Sequence, residues 1–258
     1  MTLTEVHRTR VPGLLTAAHA IRNQSAVASD AKSGFELVPA AVAAQAGAVV
    51  GWRVRLWSDH GPIALISATA QGTSPFTDKL IDWVTTKTAK SSKSSATAGP
   101  YPVEWESTDN EAQQSILRVL DLPNDPTAAI RCSDLSASAD KCSVGDLRDW
   151  ALRQQFIRGL SSVTVSDVTI AVEKIVRQRR AFGPDRAWQR RAMTIYQAKN
   201  REFESVIVLW PLKHAGDLNR KRRLLYNAVT RARGRAVVIV EDPKGTVMAG
   251  PLFAGGGA

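Results

Sequence analysis

Apolar positions along the chain alternate between a helical period and a strand period. Residues 3–24 predict a helix entered through a turn. Leu14, Leu15, Ala18 and Ile21 keep helical spacing, and Pro12 suits a first helical turn. Residues 34–57 are ambiguous. The Ala/Val-rich run from Val38 to Val50 predicts a buried helix, whereas Trp52-Arg53-Val54-Arg55-Leu56-Trp57 alternates as a strand does. Gly61-Pro62 marks a turn, and Ile63 to Ala68 reads as a short buried strand of a parallel sheet. Phe76 to about Thr88 is helical in pattern. The Ser/Lys-rich stretch from Lys90 to Pro100 predicts a flexible, disordered loop.

Pro102 to Glu106 predicts another strand, and Ser107 or Thr108 can cap a helix that runs to about Leu120. Residues 123–190 hold little strand signal and two helical patterns, Val144–Gly159 and Val165–Arg180. Strand signals return at Ser205–Trp210 and at Arg235–Val240, with a helical pattern over Asn219–Arg233 between them. Strand, helix and strand at this spacing form a right-handed crossover of a parallel sheet. Gly250 to Ala258 reads as a loose tail.

Charge sharpens this outline. The 258 residues carry a formal net charge of +10. Between Arg177 and Arg235 there are 16 Lys and Arg against 4 Asp and Glu, which leaves 18 basic and 20 acidic residues elsewhere. The whole excess therefore sits in one segment, as expected for a polyanion partner. No apolar run approaches the roughly 20 residues of a membrane span, and the first residues lack the apolar core of a signal peptide. A cytoplasmic location with no membrane partner is expected. Cys132 and Cys142 have no histidine nearby and read as reduced thiols; no metal site is expected. Lys244-Gly245-Thr246 lacks the upstream glycines of a phosphate loop and reads as a turn, as does His60 before Gly-Pro. The Trp residues read mainly as packing, with base stacking an option for Trp188 among Arg186, Arg190 and Arg191.

On the predicted helix, Leu224, Leu225, Ala228, Val229 and Ala232 share one stripe at about 100° per residue, with Arg231 about 20° outside Leu224. An arginine there either snorkels over the core rim or reaches across a cleft to a phosphate with bidentate geometry. The helix by itself does not choose between them.

Two segments carry a family resemblance. Arg222-Arg223-Leu224-Leu225-Tyr226-Asn227-Ala228-Val229-Thr230-Arg231-Ala232 resembles the last motif of the UvrD/Rep family of ATP-dependent DNA helicases, with Asn227 in place of the usual Val. Thr194-Ile195-Tyr196-Gln197-Ala198-Lys199-Asn200-Arg201-Glu202-Phe203 resembles the preceding motif, with Tyr196 for the usual His and Asn200 for the usual Gly. Tyr can still stack on a base, and Asn tolerates a left-handed backbone better than most residues. A weaker match runs from Leu3 to Thr9, followed by Leu14-Leu15 and Ala17-Ala18; it resembles the family's Asn-Tyr-Arg-Ser motif. Ile63–Ala68 followed by Phe76–Trp83 resembles the strand and helix that open the second RecA-like core.

The resemblance implies an α/β fold, a RecA-like parallel sheet with flanking helices and a mostly helical insertion. Residues 1–124 and 191–245 would form the second RecA-like motor domain, 125–190 the helical insertion and 246–258 a flexible tail. Arg231 would be the arginine finger on the γ-phosphate of ATP. Arg8 would be a second phosphate-sensing arginine, and Glu202 would contact the nucleotide sugar. Thr194, Tyr196, Lys199 and Asn200 would line the path of single-stranded or partly duplex DNA. ATP with Mg²⁺ is the implied cofactor. No Gly-x-x-x-x-Gly-Lys-Ser/Thr loop occurs in the chain. The phosphate loop and the Mg²⁺ ligands would therefore come from an N-terminal helicase domain or subunit, and the chain alone should not hydrolyse ATP at a useful rate. Two other readings stay open: a non-catalytic module that binds single-stranded nucleic acid or regulates a partner, and a truncated gene product.

Overall fold

A computed structural model describes residues 9, 11–92, 94–141, 144–182 and 190–255. The elements in chain order are α1 (Pro12–Arg22), β1 (Phe35–Ala40), α2 (Ala43–Trp57), β2 (Ile63–Ser67), α3 (Pro75–Thr86), β3 (Ala89–Lys90), β4 (Thr97–Ala98), β5 (Val103–Trp105) and α4 (Asp109–Leu120). They continue with β6 (Ala129–Arg131), α5 (Cys132–Lys141), α6 (Gly145–Phe156), β7 (Ser162–Thr164), α7 (Val165–Phe182), β8 (Arg190–Thr194), β9 (Phe203–Trp210), α8 (Leu218–Val229) and β10 (Ala232–Glu241). The chain divides into two compact units, Met1–Glu106 with Asp185–Ala258, and Ser107–Pro184.

The first unit is built on a six-stranded sheet in the order β1-β10-β9-β2-β8-β5. Every neighbouring pair is parallel. Parallel strands need crossovers that cover both faces, so their inner strands read as continuous apolar runs. Here that run splits by alternation. Val206, Val208 and Trp210 of β9 face a core shared with α1 and α8, while Ile207 and Leu209 face a second core shared with α2 and α3. Strands β2 and β10 alternate in the same way. This is the α/β architecture expected of a RecA-like domain.

Helix ends follow local rules. Ser74 caps α3, accepting from the Thr77 amide, with Pro75 in the first turn. Thr108 and Glu111 close a reciprocal capping box on α4. Asp217 caps α8 by accepting from the Arg220 amide at 2.7 Å. Helix α2 packs closely on α3: a Cβ on Gly47 would lie 2.6 Å from the Trp83 ring.

Four expectations need correction. Residues 52–57 are helix, not strand: Val50, Val54 and Trp57 are buried at helical spacing, while Leu56 is 56% exposed. The apparent alternation came from placing Leu56 inside. Val38 to Ala40 belong to β1 rather than to a helix. The Ser/Lys-rich stretch forms a small antiparallel hairpin, β3 with β4. The last helix stops at Val229, so Arg231 lies in the turn before β10 and Ala232 is a strand residue paired with Phe203. Pairing with β9 overrides the helical stripe, because Ala232 buries itself equally well in the sheet.

Leu252 and Phe253 are docked. They enter the core, the Val27 amide donates to the Phe253 carbonyl, and the buried Arg222 donates to the Pro251 carbonyl at 3.2 Å. Asp242 holds the turn that leads there, accepting from the amides of Val247 and Met248. Burial pushes its carboxyl pKa up, but the amides outweigh that and hold it below the usual value.

In the second unit, α4 to α7 enclose a third core around Leu135, Leu147, Val168 and Val172, with Leu120 of α4 among its members. Cys132 is a buried free thiol there; Cys142 lies outside the described residues.

The α2 correction is testable by urea denaturation. Val54→Asp should cost more than about 3 kcal/mol, since it buries a charge, and Leu56→Asp no more than about 0.5 kcal/mol. On a strand the two positions would share a face and respond alike.

Candidate functional site

In a parallel sheet all carboxyl ends lie along one edge and all amino ends along the other. Thr194 ends β8 at the carboxyl edge, and Phe203 begins β9 at the amino edge. Residues 195–202 must therefore run the length of the sheet, and they do so across the α1/α8 face, with Ile195 and Ala198 buried in its core.

No helix carries this crossing, so side chains supply what a helix would. The Thr194 amide donates to Gln197 Oε1 at 2.7 Å, and the Gln197 amide donates back to Thr194 Oγ1 at 3.2 Å. Gln197 also donates from Nε2 to the Glu106 carbonyl. The guanidinium of Arg201 meets the Glu106 carboxylate at 2.6 Å, with side chains 15% and 9% exposed. Asn200 takes a left-handed backbone, φ 65°, which a glycine would adopt freely and Asn adopts at modest cost. Tyr196 is 64% exposed, and Lys199 and Asn200 are exposed as well.

The amino edge gathers the other residues singled out in the sequence. Arg231 is buried. Its Nε donates to the Asn227 carbonyl at 3.1 Å and its Nη1 to the Arg201 carbonyl at 3.4 Å. The Phe203 amide donates to the Arg231 carbonyl at 2.8 Å. Glu202 receives a 2.8 Å ion pair from Arg233. The pairing of β10 with β9 slips between Ala232 and Arg235. A bulge of this kind re-aims side chains, and Arg233 and Gly234 occupy it. Gly234 leaves room for Glu204, whose Oε1 would sit 2.1 Å from a Cβ there. Thr9 donates its hydroxyl to the Arg233 carbonyl at 2.7 Å, so the start of the described chain reaches this edge; Arg8 lies outside the described residues.

The six candidate residues among those described thus fall at the two edges and on the connection between them. Glu202 and Arg231 lie at the amino edge. Thr194 and Tyr196 stand at the carboxyl edge, and Lys199 and Asn200 lie on the connection between. Gln197, Glu106, Arg201 and Arg233 were not singled out in the sequence. The Thr194-x-x-Gln197 spacing is the capping-box signal that could have found the first. The ion pairs carry no sequence signal, because their partners are brought together only by the fold.

The carboxyl edge has one more titratable feature. His214, in the loop after β9, stands edge-on to Trp210, with ring centroids 4.4 Å apart. Burial first, and the charge of Lys221 second, lower its pKa from 6.5, with the Pro211 carbonyl opposing. Among the described residues no group of acidic, His and Cys side chains could hold a metal ion, and no helix is long and apolar enough to cross a membrane.

Residues 190–239 match the family model of the UvrD-like helicase C-terminal domain, which supports a UvrD-like helicase C-terminal domain in this chain. The matched stretch holds both edges of the candidate site, from β8 to β10. No curated protein matches the chain.

Two outcomes follow for stability. Glu106→Ala should cost about 2 kcal/mol in urea denaturation, because it removes a charged hydrogen bond from a largely shielded position. His214 gives a pH dependence. The folded ring binds its proton less readily than the unfolded one, so its contribution is fully present above about pH 6.5 and is lost as pH falls through the lower folded value. The urea midpoint should drop on acidification from pH 7, and His214→Phe should flatten that part of the curve.

Proposed function

We propose that this chain acts as the C-terminal motor domain of an ATP-dependent DNA helicase or translocase. In this reading ATP and Mg²⁺ sit at the amino edge, against a phosphate loop carried by another domain or chain. Glu202 meets the nucleotide sugar, Arg231 serves as the arginine finger, and Arg8 is a second contact to phosphate. The Mg²⁺ ligands belong to the phosphate-loop domain. Single-stranded DNA, or the single-stranded part of a partial duplex, runs past Thr194, Tyr196, Lys199 and Asn200. Tyr196 offers a stacking face, and Lys199 offers a cation to the backbone.

One observation supports the reading above others. The eight residues 195–202 link the Tyr196 edge directly to Glu202 and to the carbonyl that holds Arg231. A motor must couple strand movement to nucleotide state, and this connection touches both.

The second reading is a module that binds single strands without turning over ATP. The burial of Arg231 within its own domain favours it.

The test is DNA-stimulated ATPase measured with a phosphate-loop domain added to the full chain. Stimulation is expected, and Arg231→Ala should reduce it about 1,000-fold, far more than it changes DNA affinity. Equal ATPase from the variant would sink the finger assignment. Tight, salt-sensitive DNA binding with no ATPase from any phosphate-loop partner would establish the second reading.

A further inference from the structure

A groove of about 600 Å³ runs between α6 and α7 in the second unit. Its walls are one face of each helix. Trp150, Arg153 and, at the C-cap, Ile157 come from α6, and Ile170, Lys174 and Gln178 from α7. Residues three or four apart share a helix face, so each set forms a continuous wall. From Asp146 to Ile157 that wall is about three turns, or about 17 Å, long.

The floor is apolar although it faces solvent. Phe156, Ile157, Leu160 and Ile170 are four of the nine large apolar side chains exposed among the described residues, and the last three line the groove. Ile157 is 77% exposed and Ile170 52%. The unit's own core takes other positions of the same helices, Leu147, Val168 and Val172. The exposed stripe is left over after that packing. Clustered apolar side chains rimmed by polar ones mark a surface where a partner docks.

The charges around the stripe are unbalanced. Two carboxylates line it, and both are already engaged. Asp146 makes a 2.5 Å ion pair with Arg179, and Asp167 accepts from the hydroxyl and the amide of Thr164 at 2.7 and 3.0 Å. Three cations line it as well: Arg153, Arg158 and Lys174. All three are exposed. Arg153 donates to the Asp149 carbonyl at 3.2 Å and Arg158 to Gln154 Oε1 at 3.4 Å, both neutral acceptors. No ion pair among the described residues involves any of the three.

An aliphatic stripe flanked by three such cations is the complement of a helix with an apolar face and acidic flanks. A nucleic acid satisfies the cations but leaves Ile157, Leu160 and Ile170 without a partner, because bases stack on flat rings rather than on aliphatic side chains. We propose that the groove between α6 and α7 docks an acidic amphipathic helix of a partner protein. Its apolar residues at i, i+3, i+4 and i+7 enter the groove, and its carboxylates meet Arg153, Arg158 and Lys174. The site lies within the second unit and stands apart from the motor reading.

Fluorescence anisotropy on the full chain tests it with three labelled peptides of about 15 residues, enough to run the length of the groove. The first carries leucines at helical spacing and glutamates elsewhere. The second is its scramble, and the third has lysine for every glutamate. The first should bind about tenfold more tightly than either control, and less tightly as salt rises. Lys174→Glu and Ile170→Glu, both at exposed positions, should each weaken it about tenfold. Ile157→Glu does the same from the opposite wall, should Ile170→Glu not fold. Equal affinity for the three peptides would overturn the proposal, as would no binding of the first at about 100 μM. Full affinity in all three variants would place the peptide elsewhere and overturn it too. If a DNA duplex displaces the peptide at equal concentration, the occupant is nucleic acid. If the chain is a dimer that Ile170→Glu dissociates in size-exclusion chromatography, the occupant is a second copy. Either result rejects a partner helix.

Discussion

The structure depends on one constraint: all six strands of the central sheet point the same way. A parallel sheet cannot be closed by tight turns, so each connection must return across a face. That requirement makes two buried cores out of one set of strands. It also sorts the loops into two edges of different character. The strands are chemically plain; their direction decides where each polar residue ends up.

One crossing departs from the usual form. Between β8 and β9 the chain returns in eight residues without a helix. A short irregular segment over a core risks stranded amides and carbonyls. Gln197 and Thr194 satisfy the start of the segment, and the Arg201–Glu106 pair fixes its second half to the end of β5. Asn200 supplies the one left-handed turn. The segment is thus held by side-chain hydrogen bonds and charge rather than by helical propensity, and substitutions in it act on geometry before they act on any ligand.

The inner strands were legible in the sequence, because double-sided burial leaves continuous apolar runs such as Ile63–Ile66 and Val206–Trp210. So were α3, α4 and α7, whose stripes and caps are local. Helix α2 was not. An Ala/Val-rich run followed by alternating Trp, Arg and Leu fits either period, and only the burial of Val54 with the exposure of Leu56 decides it. The end of α8 was misplaced because Ala232 suits a helix stripe and a strand equally. The docking of Leu252 and Phe253 was hidden for another reason. Gly and Pro suggest looseness, whereas Leu252, Phe253 and the carbonyl of Pro251 are fixed by a pocket made elsewhere. At the candidate site, the residue types of the two late motifs were readable. Their division between opposite edges was not, since it follows from strand direction. The Arg233–Glu202 and Arg201–Glu106 pairs come from contacts between distant segments, which no local pattern encodes.

Arg231 is tied to the β8–β9 connection twice. Its side chain donates to the Arg201 carbonyl, and its own carbonyl accepts from Phe203. The guanidinium therefore cannot leave its seat without removing one support of the connection, and a shift of Arg201 loosens the guanidinium in turn. The two are therefore coupled: whatever free energy a shift of one costs the other, the reverse shift costs the same. A perturbation applied at Tyr196 need not travel through the sheet to be felt at the far edge. It has only to move eight residues of backbone that already end on the arginine.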